Sequence, residues 1–464
     1  MDRRRFSRML LGGLGASALG SWLPGTAASA MVEEGQDDLS AGSPASSPPG
    51  ALGGESLRID GERLLGWLEE MSRFGRRSDG GVDRVAFSDA NLAGRAYVVD
   101  LMEAAGLAVR VDEVGNLLGR REGADPTLPP LLFGSHIDSV PAGGNYDGAL
   151  GVLAALEGVA TLNEAGRGTR HPLEVVVFVN EEDGKTGSRA MAGEVRPGEL
   201  GRTTASGYAI AEGIRRLGGD PDRLGRVRRE EGSVAGYVEL HVEQGAVLEE
   251  TETTIGVVEG IVGIRRWTAT VQGLANHAGT TPMDRRKDAL LSGARLVQAV
   301  NRAATAKPGS QVATVGRIEA LPGAPNVIPG EVRMSVEVRA LAMETIDEVY
   351  RRIREEARTI EAEEGTPISL EEFYVSRAAP SDPRFRGWVE EVADEIGVSH
   401  RRMPSGAGHD AQSVARFAPM GMIFVPSVGG ISHAPDEYSR PGDIEAGANV
   451  LLGTVLRADR ALGG

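Results

Sequence analysis

The chain has 464 residues, 41% of them apolar, and its 66 acids against 50 bases leave a formal charge of -16. That length allows two or three folded domains, and the charge disfavours nucleic acid or an anionic membrane as partner, because both attract basic surfaces. With no cysteine, disulfides, zinc ribbons and thiol nucleophiles are excluded, and any metal must be held by imidazole, carboxylate or water.

At the amino end Arg3, Arg4, Arg5 and Phe6 precede an apolar stretch at 9–23, and Ala28, Ser29 and Ala30 offer small residues for cleavage. Residues 1–30 therefore read as a twin-arginine signal peptide, which predicts a periplasmic or extracellular protein, with the signal either removed or kept as an anchor. Residues 31–55, rich in Gly, Ser, Pro and Ala, hold too few apolar side chains to offset the entropy of ordering, and read as a disordered linker. Folded sequence starts near Leu57, where Leu64, Leu65, Leu68 and Met71 fall at helical spacing.

From 56 to 253, short apolar runs at 131–133 and 173–179 flank a helical pattern at 149–162. Such runs predict buried parallel strands of an α/β domain. Over 254–367 the pattern changes to half-buried strands at 267–271, 312–318 and 332–338, with long helices at 285–304 and 343–363, which predicts an inserted α+β domain. Residues 368–464 return to buried-strand character at 422–425 and end in a helix at 444–462, completing the first domain.

Five of the seven histidines, His136, His241, His277, His409 and His433, sit among acids, glycine or asparagine, while His171 and His400 lie in plain polar settings. Gly134-Ser135-His136-Ile137-Asp138 follows an apolar run, so a strand delivers an imidazole to the carboxyl edge of a sheet, where ligands of open α/β folds gather. Asp138 is placed to hydrogen-bond the second ring nitrogen. Asp147, followed by Gly148, is either a metal ligand or the cap of the next helix. Asn180-Glu181-Glu182-Asp183 also ends a buried strand; adjacent carboxylates there call for a cation or for solvent. One can bind metal while its neighbour takes a proton from water. With His241 from Glu239-Leu240-His241-Val242-Glu243-Gln244 and His433 near Glu437, the set becomes three imidazoles and two carboxylates without sulfur, about what two first-row ions sharing one carboxylate need.

Taken in order, GSHIDSV, GGNYDGALGV, NEED, ELHVEQG, ANHAGTTPMDRRKDA, PGAPNVIPG, SGAGHDAQ and GISHAPDE resemble the M20 family of metallopeptidase-fold amidohydrolases, in its branch of N-carbamoyl-L-amino-acid hydrolases, allantoate amidohydrolases and β-ureidopropionases. The likeness covers roughly 58–462. It implies a mixed-sheet catalytic domain with helices on both faces, interrupted by a ferredoxin-like domain that forms a homodimer. It also implies two divalent ions (Zn, Mn, Co or Ni) bridged by Asp147, one completed by His136 and His241, the other by Glu182 and His433. Glu181 would be the general base, and His277, from its own subunit or across the dimer, would stabilise the oxyanion. Gln244, Asn326, Arg339 and Gly430 would hold the substrate, with Asp138 and His409 in support, although Asn326 also reads as a turn residue and Arg339 as a surface strand charge. His241, where peptide-cleaving relatives typically carry an acid, implies a small N-carbamoyl or ureido acid such as allantoate or ureidoglycolate as substrate. The alternatives are an aminoacylase or dipeptidase on the same scaffold, and a non-catalytic periplasmic binding protein that has kept the fold.

Overall fold

A computed structural model describes residues 57–462. The signal read at 1–30 and the linker read at 31–55 lie outside the described residues. Strands Leu131–His136 and Leu173–Phe178 are buried along their whole length. Their alternate residues enter different cores: Leu131, Phe133, Val175 and Val177 pack in one, Leu132, Val176 and Phe178 in the other. A strand with both faces covered in this way is largely apolar, because successive side chains point to opposite sides; the buried exception in Leu173–Phe178, Glu174, pairs with Arg229 at 2.8 Å.

These strands belong to a mixed sheet ordered Ala108–Val111, Leu117–Arg121, Leu173–Phe178, Leu131–His136, Gly236–Val242, Met420–Val425, Ile255–Ile261 and Ala379–Pro380, with His400–Ser405 also on Ile255–Ile261. The four central strands, from Leu173–Phe178 to Met420–Val425, run parallel, so their carboxyl ends share one edge. Helices Gly61–Met71, Ala149–Glu164, Pro383–Ile396 and Pro441–Ala461 supply the core of one face; Thr186–Met191, Ile210–Arg216 and Ala411–Val414 supply the other. Helix Ala149–Glu164 lies close against the strands because Gly151 lacks a side chain: a Cβ there would stand 2.4 Å from the Leu240 carbonyl oxygen.

A second sheet is fully antiparallel, ordered Ile368–Ser376, Gly263–Gln272, Glu331–Ala340 and Val312–Leu321. In chain order that is 4-1-3-2, with helices Ala289–Thr305 and Met343–Glu364 after the first and third strands, the split β-α-β arrangement of ferredoxin-like layers. Trp267, Leu296, Val300, Val336, Ile346 and Ile353 form its core. Sheet membership differs from the sequence reading at both borders. Ile255–Ile261, read inside the insertion at 254–367, pairs in the large sheet, and Ile368–Ser376, read beyond it, pairs in the small one. The second is an edge strand whose Glu371, Glu372 and Phe373 are exposed, so it carries no return to buried character that a sequence could show. Helix Ala289–Thr305 starts later than read because Asp288 caps it, accepting from the Leu290 and Leu291 amides. Among the described residues no helix is long and apolar enough to cross a membrane.

Candidate metal centre

The parallel strands converge their carboxyl ends on a cavity of about 260 Å³. His136 is the last residue of its strand, His241 is next to last in Gly236–Val242, and Glu181 and Glu182 sit just past Phe178. His433 stands in the loop after Met420–Val425, and Asp147 lies two residues before helix Ala149–Glu164. Gly148 between them has φ +64, and a Cβ there would fall 2.4 Å from the His136 ring. Only glycine lets Asp147 and His136 approach so closely.

Asp147 Oδ1 faces Nε2 of His136 at 3.4 Å and of His241 at 3.2 Å. Its Oδ2 faces His433 Nε2 at 3.3 Å, and Glu182 Oε2 lies 3.4 Å from the same nitrogen. Two three-residue groups, His136 with Asp147 and His241, and Asp147 with Glu182 and His433, therefore share one carboxylate, each with its ligating atoms within 4.8 Å of one another. The Nδ1 atoms of His136 and His241 lie 3.0 and 2.8 Å from the carbonyls of Asp138 and Val242. A carbonyl accepts only, so each Nδ1 carries a proton and donates, and in the neutral ring the Nε2 lone pair points into the cavity.

The electrostatics of this donor set fit cations. Burial alone would depress both imidazoles, but Asp147, joined by Glu181 and Asp138 at His136 and by Glu239 at His241, outweighs it, holding His136 well above its ordinary value and His241 at about 9. Asp147 stays well below the carboxylate range despite its burial, held by His241, His136 and His433. Glu182 is pushed well above that range by burial and by the charges of Asp147 and Glu181, and burial lifts Glu181 to about 6. Protein alone thus balances the cluster only by keeping protons on its ligating atoms, and divalent cations bound among the same atoms would replace those protons. The absence of sulfur suits Zn, Mn, Co or Ni.

Glu181 Oε2 stands 3.9 Å from His136 Nε2 at the rim of the cluster. Asp138 does not hold the His136 ring through its side chain as expected. Its carboxylate is 3.8 Å from His136 Nδ1, which uses the Asp138 carbonyl instead, and accepts from the Glu181 and Glu182 amides at 3.3 and 3.2 Å. It therefore shapes the acidic turn. His409 is buried, 3.0 Å from Ser405 Oγ through Nε2 and edge-on to His241 at 4.4 Å; burial and the neighbouring His241 keep it below the ordinary imidazole range. Gln244, expected on the substrate, donates to Asp147 Oδ2 at 2.7 Å.

Besides Asp138, four of the expected site residues lie outside this cavity. His277, on the short strand Asn276–His277, is exposed, and its Nδ1 accepts from the Gly279 and Thr280 amides, so the ring proton resides on Nε2. Asn326 is exposed and contributes its carbonyl to the Ala278 amide. Arg339 pairs with Glu337 at 2.6 Å and donates to the Gly406 carbonyl at 2.8 Å. Gly430, at φ +65, backs onto Ala246, 2.8 Å from where its Cβ would lie.

Sequence reasoning missed Glu437. Its buried carboxylate accepts from the amides of Tyr146 at 2.8 Å and Asp147 at 3.0 Å and from Ser432 Oγ at 2.7 Å, clamping the Asp147 loop to the His433 loop. The signal was present in Ser432-His433-Ala434-Pro435-Asp436-Glu437, but an acid four residues from a histidine does not announce which backbone amides it will meet.

Residues 132–457 match the model of peptidase family M20/M25/M40. The chain is 41% identical to an N-carbamoyl-L-amino acid amidohydrolase of Geobacillus stearothermophilus over 86% of this chain and 98% of the relative. It is 36% identical to a ureidoglycolate hydrolase of Arabidopsis thaliana over 88% and 90%. Among solved structures it resembles an amidase of the hydantoinase/carbamoylase family from Burkholderia multivorans, with TM-score 0.78 and 39% identity over 87% of this chain and 98% of that one.

Proposed function

The chain belongs to peptidase family M20/M25/M40, and on that premise we propose that it is a metal-dependent amidohydrolase cleaving a carbon–nitrogen bond outside peptides, in N-carbamoyl-L-amino acids or related ureido acids such as allantoate and ureidoglycolate. The observation that carries this reading is the pair of three-residue groups sharing Asp147 with Glu181 at their rim. The substrate class follows from the relatives named N-carbamoyl-L-amino acid amidohydrolase and ureidoglycolate hydrolase. Two divalent ions, one held by His136, His241 and Asp147, the other by Asp147, Glu182 and His433, would polarise the scissile carbonyl and acidify water.

The chain's own residues perform the proton traffic. Glu181 takes a proton from water as its oxygen bonds to the carbamoyl carbon, and returns that proton to the departing nitrogen as the carbon–nitrogen bond breaks. From an N-carbamoyl amino acid the products are the amino acid, carbon dioxide and ammonia. The oxyanion needs a donor; His277 Nε2–H supplies it, brought in by movement of the small sheet or from a second copy. The exposed edge strand Val312–Leu321, with Val312 and Ile318 open, is where that copy would pair. On the strength of Arg3, Arg4 and the apolar stretch behind them we place the protein outside the cytoplasm; cell fractionation should find wild type exported and an Arg3→Lys, Arg4→Lys chain retained, and equal distribution of the two refutes the placement.

The test of the reaction is a substrate panel on metal-reloaded protein: N-carbamoyl, N-acetyl and aminoacyl forms of one L-amino acid, with allantoate, ureidoglycolate and β-ureidopropionate. Ureido substrates should lead the other classes by about a hundredfold in kcat/KM, the discrimination a polar pocket readily supplies. Preference for acetyl or aminoacyl forms would make the protein an aminoacylase or dipeptidase, and no turnover with metal bound would make it a binding protein.

A further inference from the structure

A second cavity, of about 290 Å³, shares no residue with the metal centre and is lined by four arginines, Arg110, Arg226, Arg228 and Arg229. Its buried apolar floor, Leu118, Met191 and Val227, belongs to the core on the opposite face of the large sheet from helix Ala149–Glu164. Arg110 is the register partner of Leu118 across strands Ala108–Val111 and Leu117–Arg121, so the two side chains share that face. The other three arginines lie at and just past the end of the turn Pro221–Arg226, where the Arg229 amide donates to the Met191 carbonyl at 2.8 Å.

Like charges gathered around one cavity repel unless anions neutralise them. Two of the four find an anion in the protein: Arg229 pairs with buried Glu174 at 2.8 Å and Arg228 with exposed Glu230 at 3.5 Å. Arg110 and Arg226 are exposed, and no carboxylate lies within ion-pair distance of either among the described residues. The cavity's own acids do not answer them. Asp112 is turned into its loop, where it accepts from the Val114, Gly115 and Asn116 amides and from Asn116 Nδ2, leaving one carboxylate, Glu113, against two free guanidinium groups. A tetrahedral phosphate presents oxygens in several directions and suits donors arriving from separate strands and turns, whereas a single fork satisfies a planar carboxylate. The apolar floor gives room for an organic group carrying that phosphate.

The wall of this cavity is also bonded to the acidic turn of the metal centre. Asn116, whose Nδ2 donates to Asp112 at 2.9 Å and to the Gly187 carbonyl at 3.4 Å, accepts from the Val179 amide at 3.1 Å. Val179 and Gly187 bracket 180–186, the turn that carries Glu181 and Glu182. One buried amide side chain thus joins the arginine cavity to both ends of that turn.

We propose that this cavity binds a phosphate monoester, its phosphate held by Arg110 and Arg226 and its organic group over Leu118 and Met191, and that occupancy stiffens the turn at 180–186 through Asp112 and Asn116. The site is separate from the reacting centre and does not depend on which amide the protein cleaves. The experiment titrates full-length, metal-loaded protein with phenyl phosphate, inorganic phosphate and benzyl alcohol by calorimetry. It compares wild type with Arg110→Gln, Arg226→Gln and, as a control for overall charge, Arg358→Gln, which changes an exposed arginine of helix Met343–Glu364. Phosphate held by the metal ions is common to all four proteins, so differences between them report the arginine cavity. Arg110→Gln and Arg226→Gln should each weaken phenyl phosphate about tenfold or more, the scale of one charge-assisted hydrogen bond, while Arg358→Gln changes its affinity less than about twofold. Phenyl phosphate should bind this site more tightly than inorganic phosphate, and benzyl alcohol should not bind; equal affinity for the two phosphates overturns the ester and leaves free phosphate as the ligand. At a phenyl phosphate concentration that saturates only the wild type, hydrogen exchange of the 179–187 amides should slow in wild type and not in Arg226→Gln. Equal affinity in wild type and both cavity variants, or an equal loss in Arg358→Gln, overturns the site, and exchange that ignores the ligand overturns its coupling to the turn.

Discussion

Glu181 and Glu182 are neighbours in the chain with different surroundings. Glu182 reaches His433 at 3.4 Å within one of the ligating groups, whereas Glu181 stops 3.9 Å from His136 and joins neither group. An acid left out of the cage but beside it can carry a proton, so Glu181→Gln should keep full metal content and lose about three or more orders of magnitude in kcat. Near-normal turnover in that variant would reject the role. Glu437→Gln should do the reverse, weakening metal affinity about ten- to a hundredfold, the cost of removing an outer-shell carboxylate, because its charge holds the Tyr146 and Asp147 amides and Ser432. Titration with metal buffers reads this, and unchanged affinity counts against the clamp. At this scale the sequence named the residues that meet in the cavity because histidine and carboxylate at strand ends carry a chemical signature. It could not name Glu437, whose role depends on a partner 290 positions away at Asp147.

The four central strands place those residues, and their parallel direction is what brings every carboxyl end to one edge. Helix Ala149–Glu164 must lie close above them to keep Asp147 at the cavity, and Gly151 permits it. Gly151→Ala would drive a methyl group to 2.4 Å from the Leu240 carbonyl oxygen, one residue before His241, so stability should fall by about 1–3 kcal/mol, the range for overpacking a core. Denaturant unfolding of the metal-free protein should show a lower midpoint; an unchanged one means that the helix shifts without cost. Leu131–His136, Leu173–Phe178 and Met420–Val425 were legible from the apolar runs within them, whereas Gly236–Val242, equally buried but carrying Glu239 and His241, showed no such run. The border of the small sheet was not legible, because Ile368–Ser376 is held by backbone pairing to Gly263–Gln272 with its side chains largely open, and edge pairing leaves little mark on composition.

At the scale of the molecule, the small sheet ends in an open strand and His277 lies outside the cavity of a single chain. Both observations fit a dimer formed through Val312–Leu321, and a charge on that edge should prevent strand addition. Ile318→Lys should therefore sediment as a monomer where the wild type sediments at twice the chain mass; a wild type that is monomeric excludes the dimer. The charge of -16 adds to the case for small molecules over polyanions as partners. The most direct measurement counts divalent ions per chain and turnover of an N-carbamoyl-L-amino acid before chelation, after it and on reloading, for the wild type and Asp147→Asn. Two ions per chain, turnover lost and regained with them, and both ions lost in Asp147→Asn are expected. Full turnover after complete removal of metal, or undiminished ion content in Asp147→Asn, would contradict a site built around one shared aspartate.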